Sequence, residues 1–284
     1  MMRFAPIEFD QQALAGYSAL FAACFPGTER FTTSYLDWLY VHNPDGPAFG
    51  FDAWEGDELA AHYVCVPAQA SIDGRLVRVL LSLNTATHPR FQGQGLFTKL
   101  AAMTYEAAAD SGYDAVYGVA NANSTPGFVR KLGFQLVRPL EARVGIGRIG
   151  KRDVTPDVVP AFKRVWSEAA LAWRCASPYN PVQSRQRGGV RQFHSRAFAP
   201  WVSAYAELPL PASLKFESGH VPGAPLRLYL GLLPDAQRQF RGYFEIPKRV
   251  RPSPLNLIFR SLSAPGSQLD PSRIHFSFLD FDAY

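Results

Sequence analysis

The sequence predicts an α/β protein on a mixed sheet, mostly antiparallel with one parallel crossover, and a second domain after it. Three observations carry this. Strand-like runs follow one another at 48–54, 59–69 and 75–86, with turn signals between them. A Gly-rich knot, Gln92-Gly93-Gln94-Gly95, then joins the third run to an amphipathic helix and a further strand, the order of a parallel crossover with a topological switch point. Charge is also split: residues 1–148 carry 11 Lys+Arg and 14 Asp+Glu, net −3, and residues 149–284 carry 18 and 10, net +8. Two domains of different character, 1–150 and 151–284, are therefore expected.

Leu14, Tyr17, Leu20, Phe21 and Cys24 recur at i, i+3, i+4 spacing, so residues 10–25 are expected as a helix. Residues 33–41 (TSYLDWLYV) form a shorter one, stopped by Asn43-Pro44-Asp45-Gly46-Pro47. Glu55-Gly56-Asp57 and Ser71-Ile72-Asp73-Gly74 separate the three strands, and Asp73-Gly74 is a hairpin signal. The helix at 95–111 takes its apolar face from Leu96, Leu100, Met103, Ala107 and Ala108. Residues 114–120 (DAVYGVA) are a strand. Ser124 or Thr125 before Pro126 opens a short helix that ends at Lys131-Leu132-Gly133. Residues 134–147 read as strand material. In the second half a helix is expected at 157–174, and strands at 200–207, 212–217, 226–232, 241–246, 255–259 and 273–280. SYLDWLYVHNP (34–44) is echoed by ALAWRCASPYNP (170–181), a Trp followed by Asn-Pro, which leaves a duplicated fold open.

Apolar residues make up 47% and charged residues 19%, which excludes wholesale disorder. No apolar run approaches the roughly 20 residues that span a bilayer, and MMRFAPIEFDQQ lacks a signal-peptide core, so a cytoplasmic protein without membrane partners is expected. Cys24, Cys65 and Cys175 are odd in number and far apart, with neither metal-ligand spacing nor a disulfide framework, so no metal is expected. The arginines of the basic half are scattered among prolines rather than clustered, which argues against nucleic acid.

The chemistry sits in 82–134. A strand ends near Thr87, alternating glycines follow, and a helix begins at about Gly95. Such a turn aims free N–H groups and a partial positive charge at a pyrophosphate. It is neither a Walker loop nor the dinucleotide fingerprint, since no Gly-Lys-Ser/Thr follows and Thr98 stands at the third glycine. The stretch resembles the GNAT superfamily, the Gcn5-related N-acetyltransferases. Their acyl-CoA loop reads Arg/Gln-x-x-Gly-x-Gly/Ala, often after a Pro, and Gln92, Gly95 and His88-Pro89 fit it, with Phe97 where the last small residue is expected. The family's next segment, a strand, an Asn and a helix ending in Lys-Leu-Gly-Phe, is matched by Tyr117–Asn123 and by Ser124 through Lys131-Leu132-Gly133-Phe134.

The resemblance implies a GNAT fold over 1–150, a second, GNAT-like half that is degenerate and adds to the acceptor site, and acyl transfer from acetyl-CoA to an amine. Pantetheine would pair with the backbone of Thr85, Ala86 and Thr87, where the fourth strand splays from the fifth. The pyrophosphate would take the N–H groups of Gln92, Gly93, Gln94, Gly95, Leu96 and Phe97. Asn121 or Asn123, with Ser124, would line the cofactor arm, although both asparagines also suit a turn after a strand. Trp38, Tyr40, His42 and Asn43 would wall the acceptor. The Tyr that many members carry as general acid is Val129 here, which leaves Tyr40 or Tyr117, water, or a catalytically weak domain.

The strand before the loop supplies Ser82 and Asn84 but no carboxylate, so Asn84 and the α-carboxylate of Tyr284 are the catalytic candidates, with Asp280 or Asp282 as fallback. The Tyr284 reading is what a resemblance to two families built from GNAT-like halves implies, the N-myristoyltransferases and the intracellular-survival aminoglycoside acetyltransferases, whose C-terminal carboxylate reaches the first half's active site. WLYVHNPDGPAFGF followed by LNTATHPRFQGQGLFTKL resembles bacterial members associated with surface-polysaccharide clusters, which points to a small-molecule amine such as an amino sugar. A longer-chain N-acyltransferase fed by acyl-CoA or acyl-carrier protein, and a non-catalytic acyl-CoA-binding protein, are the alternatives.

Overall fold

The computed structural model describes residues 1–150, 159–187, 190–208, 224–251 and 253–281. In chain order these form β1 (Met2–Pro6), α1 (Gln11–Cys24), α2 (Thr33–Tyr40), β2 (Phe49–Glu55), β3 (Glu58–Ile72), β4 (Arg75–Thr87), α3 (Leu96–Asp110), β5 (Ala115–Ala120), α4 (Thr125–Lys131), β6 (Gln135–Pro139), β7 (Glu141–Gly145), β8 (Phe162–Val165), α5 (Glu168–Cys175), β9 (Gln183–Arg187), β10 (Val190–Arg196), β11 (Val202–Leu208), β12 (Leu226–Leu232), β13 (Tyr243–Glu245), β14 (Asn256–Ser261) and β15 (Ile274–Ser277). They fall into two compact units, where a single cut after residue 150 was expected. The first holds Met1–Ala68, Val77–Leu136 and Ile258–Gln268. The second holds Gln69–Leu76, Val137–Leu257 and the chain from Leu269 on.

In the first unit the sheet order is β1-β2-β3-β4-β5-β14. Side chains cap the helices as the sequence allows: Asp10 accepts from the Ala13 N–H and Thr32 from the Tyr35 N–H. The β3–β4 hairpin, whose end Gln69–Leu76 is counted in the second unit, turns on Asp73 and Gly74, both at positive φ (46° and 85°). Helix α3 buries Leu96, Leu100, Ala101, Tyr105 and Ala108 against Ala61, Tyr63, Cys65, Leu80 and Val116 of the sheet. Beyond β4 the pairing with β5 is parallel. Strand β1, paired antiparallel with β2 from Met2↔Glu55 to Pro6↔Phe51, was not expected.

The second unit corrects the sequence reading more often. The helix expected at 157–174 is a strand followed by a helix, its first two residues lying outside the described ones. Phe162 and Arg164 face inward and Lys163 outward, a period of two. Ser167 then caps α5 by accepting from the Ala170 N–H. Strands β9 and β10 were missed because QSRQR and VRQFHSR carry polar residues on both faces. The strand expected at 212–217 lies outside the described residues. The run at 273–280 stops at Ser277 and finishes as a 3₁₀ turn, and 134–147 is two strands broken at Leu140.

The element order of the first unit recurs here. Helix α5 is followed by antiparallel β9-β10-β11 and then β12 parallel to β11, as α2 is followed by β2-β3-β4 and β5 parallel to β4. The Trp…Asn-Pro echo has one structural job in both. Asn43 Nδ2 donates to the Pro67 carbonyl on β3 (2.8 Å), and Asn180 Nδ2 donates to the Arg196 carbonyl on β10 (3.2 Å).

Candidate active site

Strands β4 and β5 pair from Val79↔Ala115 to Ser82↔Gly118 and no further, although β4 continues to Thr87 and β5 to Ala120. Two residues past the last pair, Asn84 has φ 47°, a left-handed conformation that asparagine tolerates better than most side chains. The strands therefore diverge at Asn84–Thr87. Thr85 and Thr87 are half-buried and Ala86 is buried. The Thr87 carbonyl accepts from Cys24 Sγ (3.3 Å) and Gln92 Nε2 (3.4 Å).

The loop beyond reaches α3 through Gly93 and Gly95, at φ 79° and 74°. A Cβ on either would meet nothing within 4 Å, so the turn's backbone, not crowding, calls for glycine. Lys99 N–H is the first in α3 to find its i−4 carbonyl, on Gly95. Among the described residues none accepts from the N–H groups of Leu96, Phe97 or Thr98. These donors and the helix dipole make an anion site. The Phe97 ring turns away from the loop and packs on Phe128 (centroids 5.1 Å apart) and against Gly127 of α4.

The other predicted residues divide. Asn121 Oδ1 accepts from Asn123 N, Ser124 N and Ser124 Oγ (3.0–3.1 Å), so its side chain is spent on the turn before α4, while Asn123 is exposed. Asn43 is likewise committed to Pro67 and to the Asp45 N–H. His42 is exposed beside Asp37 (3.0 Å), and Trp38 is half-buried against Tyr35. Tyr117 is fully buried. Tyr284 and Asp282 lie outside the described residues. Asp280, in the second unit, accepts from Ser277 N (2.6 Å), Ser277 Oγ (3.1 Å) and Trp166 Nε1 (3.2 Å). It closes a turn rather than standing open as a base, and burial pushes its pKa up against the pull of His275 and Arg164.

Asp52, His62 and Tyr17 escaped the sequence reading as site residues, and they join two that it named, Tyr40 and Asn84. Asp52 and His62 face each other across β2 and β3 and are bonded Oδ1 to Nδ1 at 2.7 Å, both buried. His62 Nε2 meets Tyr40 Oη at 3.2 Å, and Asn84 Nδ2 reaches the same oxygen at 3.3 Å. Tyr17 Oη donates to Asp52 Oδ2 at 2.8 Å. A lone Asp in FGFDAWE and a lone His in the apolar run LAAHYVCV were the signals. Burial pushes the Cys65 thiol up to about 12 and raises that of Cys24, which disfavours both as nucleophiles. Among the described residues no group of three His, Cys, Asp or Glu side chains could hold a metal ion. A cleft of about 800 Å³ lined by Tyr105, Glu106, Phe134 and Arg260 involves none of the loop residues.

The family model described as "Acetyltransferase (GNAT) domain" matches residues 8–137. This segment is a GNAT acetyltransferase domain. The divergence of β4 and β5, the glycine turn and the open end of α3 all lie inside it. No curated protein matches the chain. Solved structures with the same fold extend over nearly all of it. A probable N-acyltransferase from Enterococcus faecalis is 11% identical, over 93% of this chain and 73% of its own, with TM-score 0.62. A GCN5-related N-acetyltransferase from Anabaena variabilis is 10% identical over 92% and 73%, with TM-score 0.61. Eis1 from Mycobacterium abscessus is 10% identical over 92% and 74%, with TM-score 0.56. The GNAT fold thus accounts for the second half as well as the first. Among the described residues no helix is long and apolar enough to cross a membrane.

Proposed function

We propose that the chain moves an acetyl group from acetyl-CoA to the primary amine of a small molecule, with an amino sugar as the acceptor class. The observation that carries this is the end of β4–β5 pairing at Ser82 and Gly118, beside a glycine turn with an open helix N-terminus. In the GNAT domain this arrangement suits an acyl-CoA: pantetheine along the backbone of Thr85–Thr87, pyrophosphate on the N–H groups at 93–97, the Gln92 N–H being taken by the Pro89 carbonyl (3.5 Å), and Ser124 with exposed Asn123 beside the arm. In the reaction the amine nitrogen bonds to the thioester carbon and the C–S bond breaks. The nitrogen loses its proton to solvent, and the thiolate takes one up or leaves as such. A thiolate departs readily, since free thiols have pKa values near 8.5, so Val129 in place of an acid is tolerable. Half-buried Trp38 and exposed His42 on the α2 side supply a stacking face and a hydrogen-bonding group suited to a sugar.

The test is calorimetric titration with acetyl-CoA, followed by thiol release with D-glucosamine, a nucleotide-linked amino sugar, spermidine and a short peptide. Gly95→Val forces a β-branched residue to φ 74°, which strains the turn that presents the N–H groups. Acetyl-CoA affinity should fall about tenfold or more, roughly 1.4 kcal/mol. Unchanged affinity in the folded variant removes the loop from the cofactor site. Tight binding without thiol release from any amine means a binding protein.

A further inference from the structure

Buried polar groups must satisfy one another, and the chain from Asp52 to Asn84 does so with one consistent set of protons. An ionised carboxylate can only accept. Tyr17 donates to Asp52 Oδ2, and burial together with the Asp52 charge raises the Tyr17 pKa, keeping that phenol protonated. On the other oxygen His62 Nδ1, 2.7 Å away, must carry hydrogen. In the set with hydrogen on Nδ1 alone, Nε2 is an acceptor and Tyr40 Oη donates to it across 3.2 Å. Having spent its one hydrogen, Tyr40 Oη can only accept from Asn84, whose Nδ2 therefore faces inward at 3.3 Å. The other end of the amide, Oδ1, is left as an acceptor. No described group donates to it, and Asn84 is half-buried at the point where β4 leaves β5.

We propose that Asn84 positions the acceptor amine through Oδ1, and that Asp52, acting through His62 and Tyr40, dictates which end of the Asn84 amide the amine meets. This rests on the acyl-transfer reading above. A neutral amine attacks through its lone pair. A carbonyl oxygen that accepts one of its N–H bonds holds that lone pair toward the thioester, whereas an outward –NH₂ would compete for it. No proton moves onto Asn84. It is the residue that touches substrate, and Asp52, His62 and Tyr40 are positioning residues.

Asp52→Asn tests the direction while keeping the shape. An amide at 52 can donate to His62 Nδ1, which moves the ring proton to Nε2. The hydrogen bonds then run outward and turn Asn84 Nδ2 toward the amine. Nitrogen-15 NMR of the full chain should find the His62 proton on Nδ1 in the parent and on Nε2 in Asp52→Asn. With acetyl-CoA and each amine of the panel, kcat should fall about tenfold or more while KM for acetyl-CoA stays within about twofold. Tyr40→Phe keeps the ring and cuts the chain. It should leave His62 on Nδ1 and give the same split of kcat from KM, and it carries the kinetic test should Asp52→Asn not fold. A parent with the proton on Nε2 overturns the proposal, as do variants that keep parental kcat or lose acetyl-CoA affinity in equal measure. A parent that binds acetyl-CoA but acetylates no amine overturns the acyl-transfer reading, and the positioning role with it. An active parent with unaffected variants overturns the positioning role alone.

Discussion

At the residue scale, the site separates side chains that build the frame from those left open. Asn43 and Asn121 both stood as ligand candidates, and both are consumed by backbone partners. Residue type and position made them candidates, but only the partners decide, and those lie 24 residues away on β3 for Asn43. The reverse holds for Asp52 and His62, each unremarkable in its own strand and paired only once β2 and β3 are in register. Asn43→Ala removes one donor from the buried Pro67 carbonyl and leaves it unsatisfied. Thermal denaturation should show a loss of about 1–3 kcal/mol. Acetyl-CoA turnover per folded molecule should stay at the parental level. A drop in kcat at unchanged stability would return Asn43 to the acceptor wall.

At the element scale, the loop motif depends on how α3 and α4 fit. Phe97 stands where a small residue was expected, and the space for its ring is made by Gly127. A Cβ on Gly127 would lie 2.9 Å from Phe97 Cε1. The departure at 97 is thus matched by a glycine 30 residues later, a coupling that no local pattern carries. Helix limits and the β2–β4 strands were legible because caps, glycine turns and apolar periodicity are local. β9 and β10 were not, since their burial depends on what covers them. Gly127→Ala alone should cost about 1–3 kcal/mol by overpacking. Phe97→Leu in the same chain should recover part of that loss, a non-additivity read from a double-mutant cycle in urea. Additive losses would show that α4 shifts without reference to Phe97.

At the scale of the whole molecule, the repeat bears on the fate of the second half's own groove. The compact units do not divide at residue 150: Ile258–Ser261 of β14 belong to the first and β7 to the second. Within the second unit β11 and β12 pair only from Val202↔Leu226 to Ala204↔Leu228, then part, as β4 and β5 do. There the gap is filled. Leu228 pairs with both Ala204 and Val144, so β11 and β7 lie on opposite edges of β12. Gly231 pairs with both Glu141 and Ser277, so β15 lies opposite β7 and on the edge that β11 has left. The fit is close, since a Cβ on Gly231 would sit 2.1 Å from the Phe276 carbonyl oxygen. The backbone groups that a pantetheine would need are thus taken by the protein's own strand. The half after residue 150 also contains no Gly-x-Gly like 93–95. Calorimetry or native mass spectrometry should therefore count one acetyl-CoA per chain, and Gly95→Val should weaken that one about tenfold or more without exposing another. A second molecule bound per chain, surviving Gly95→Val, would mean that β15 leaves its place on β12 and that the second groove is functional.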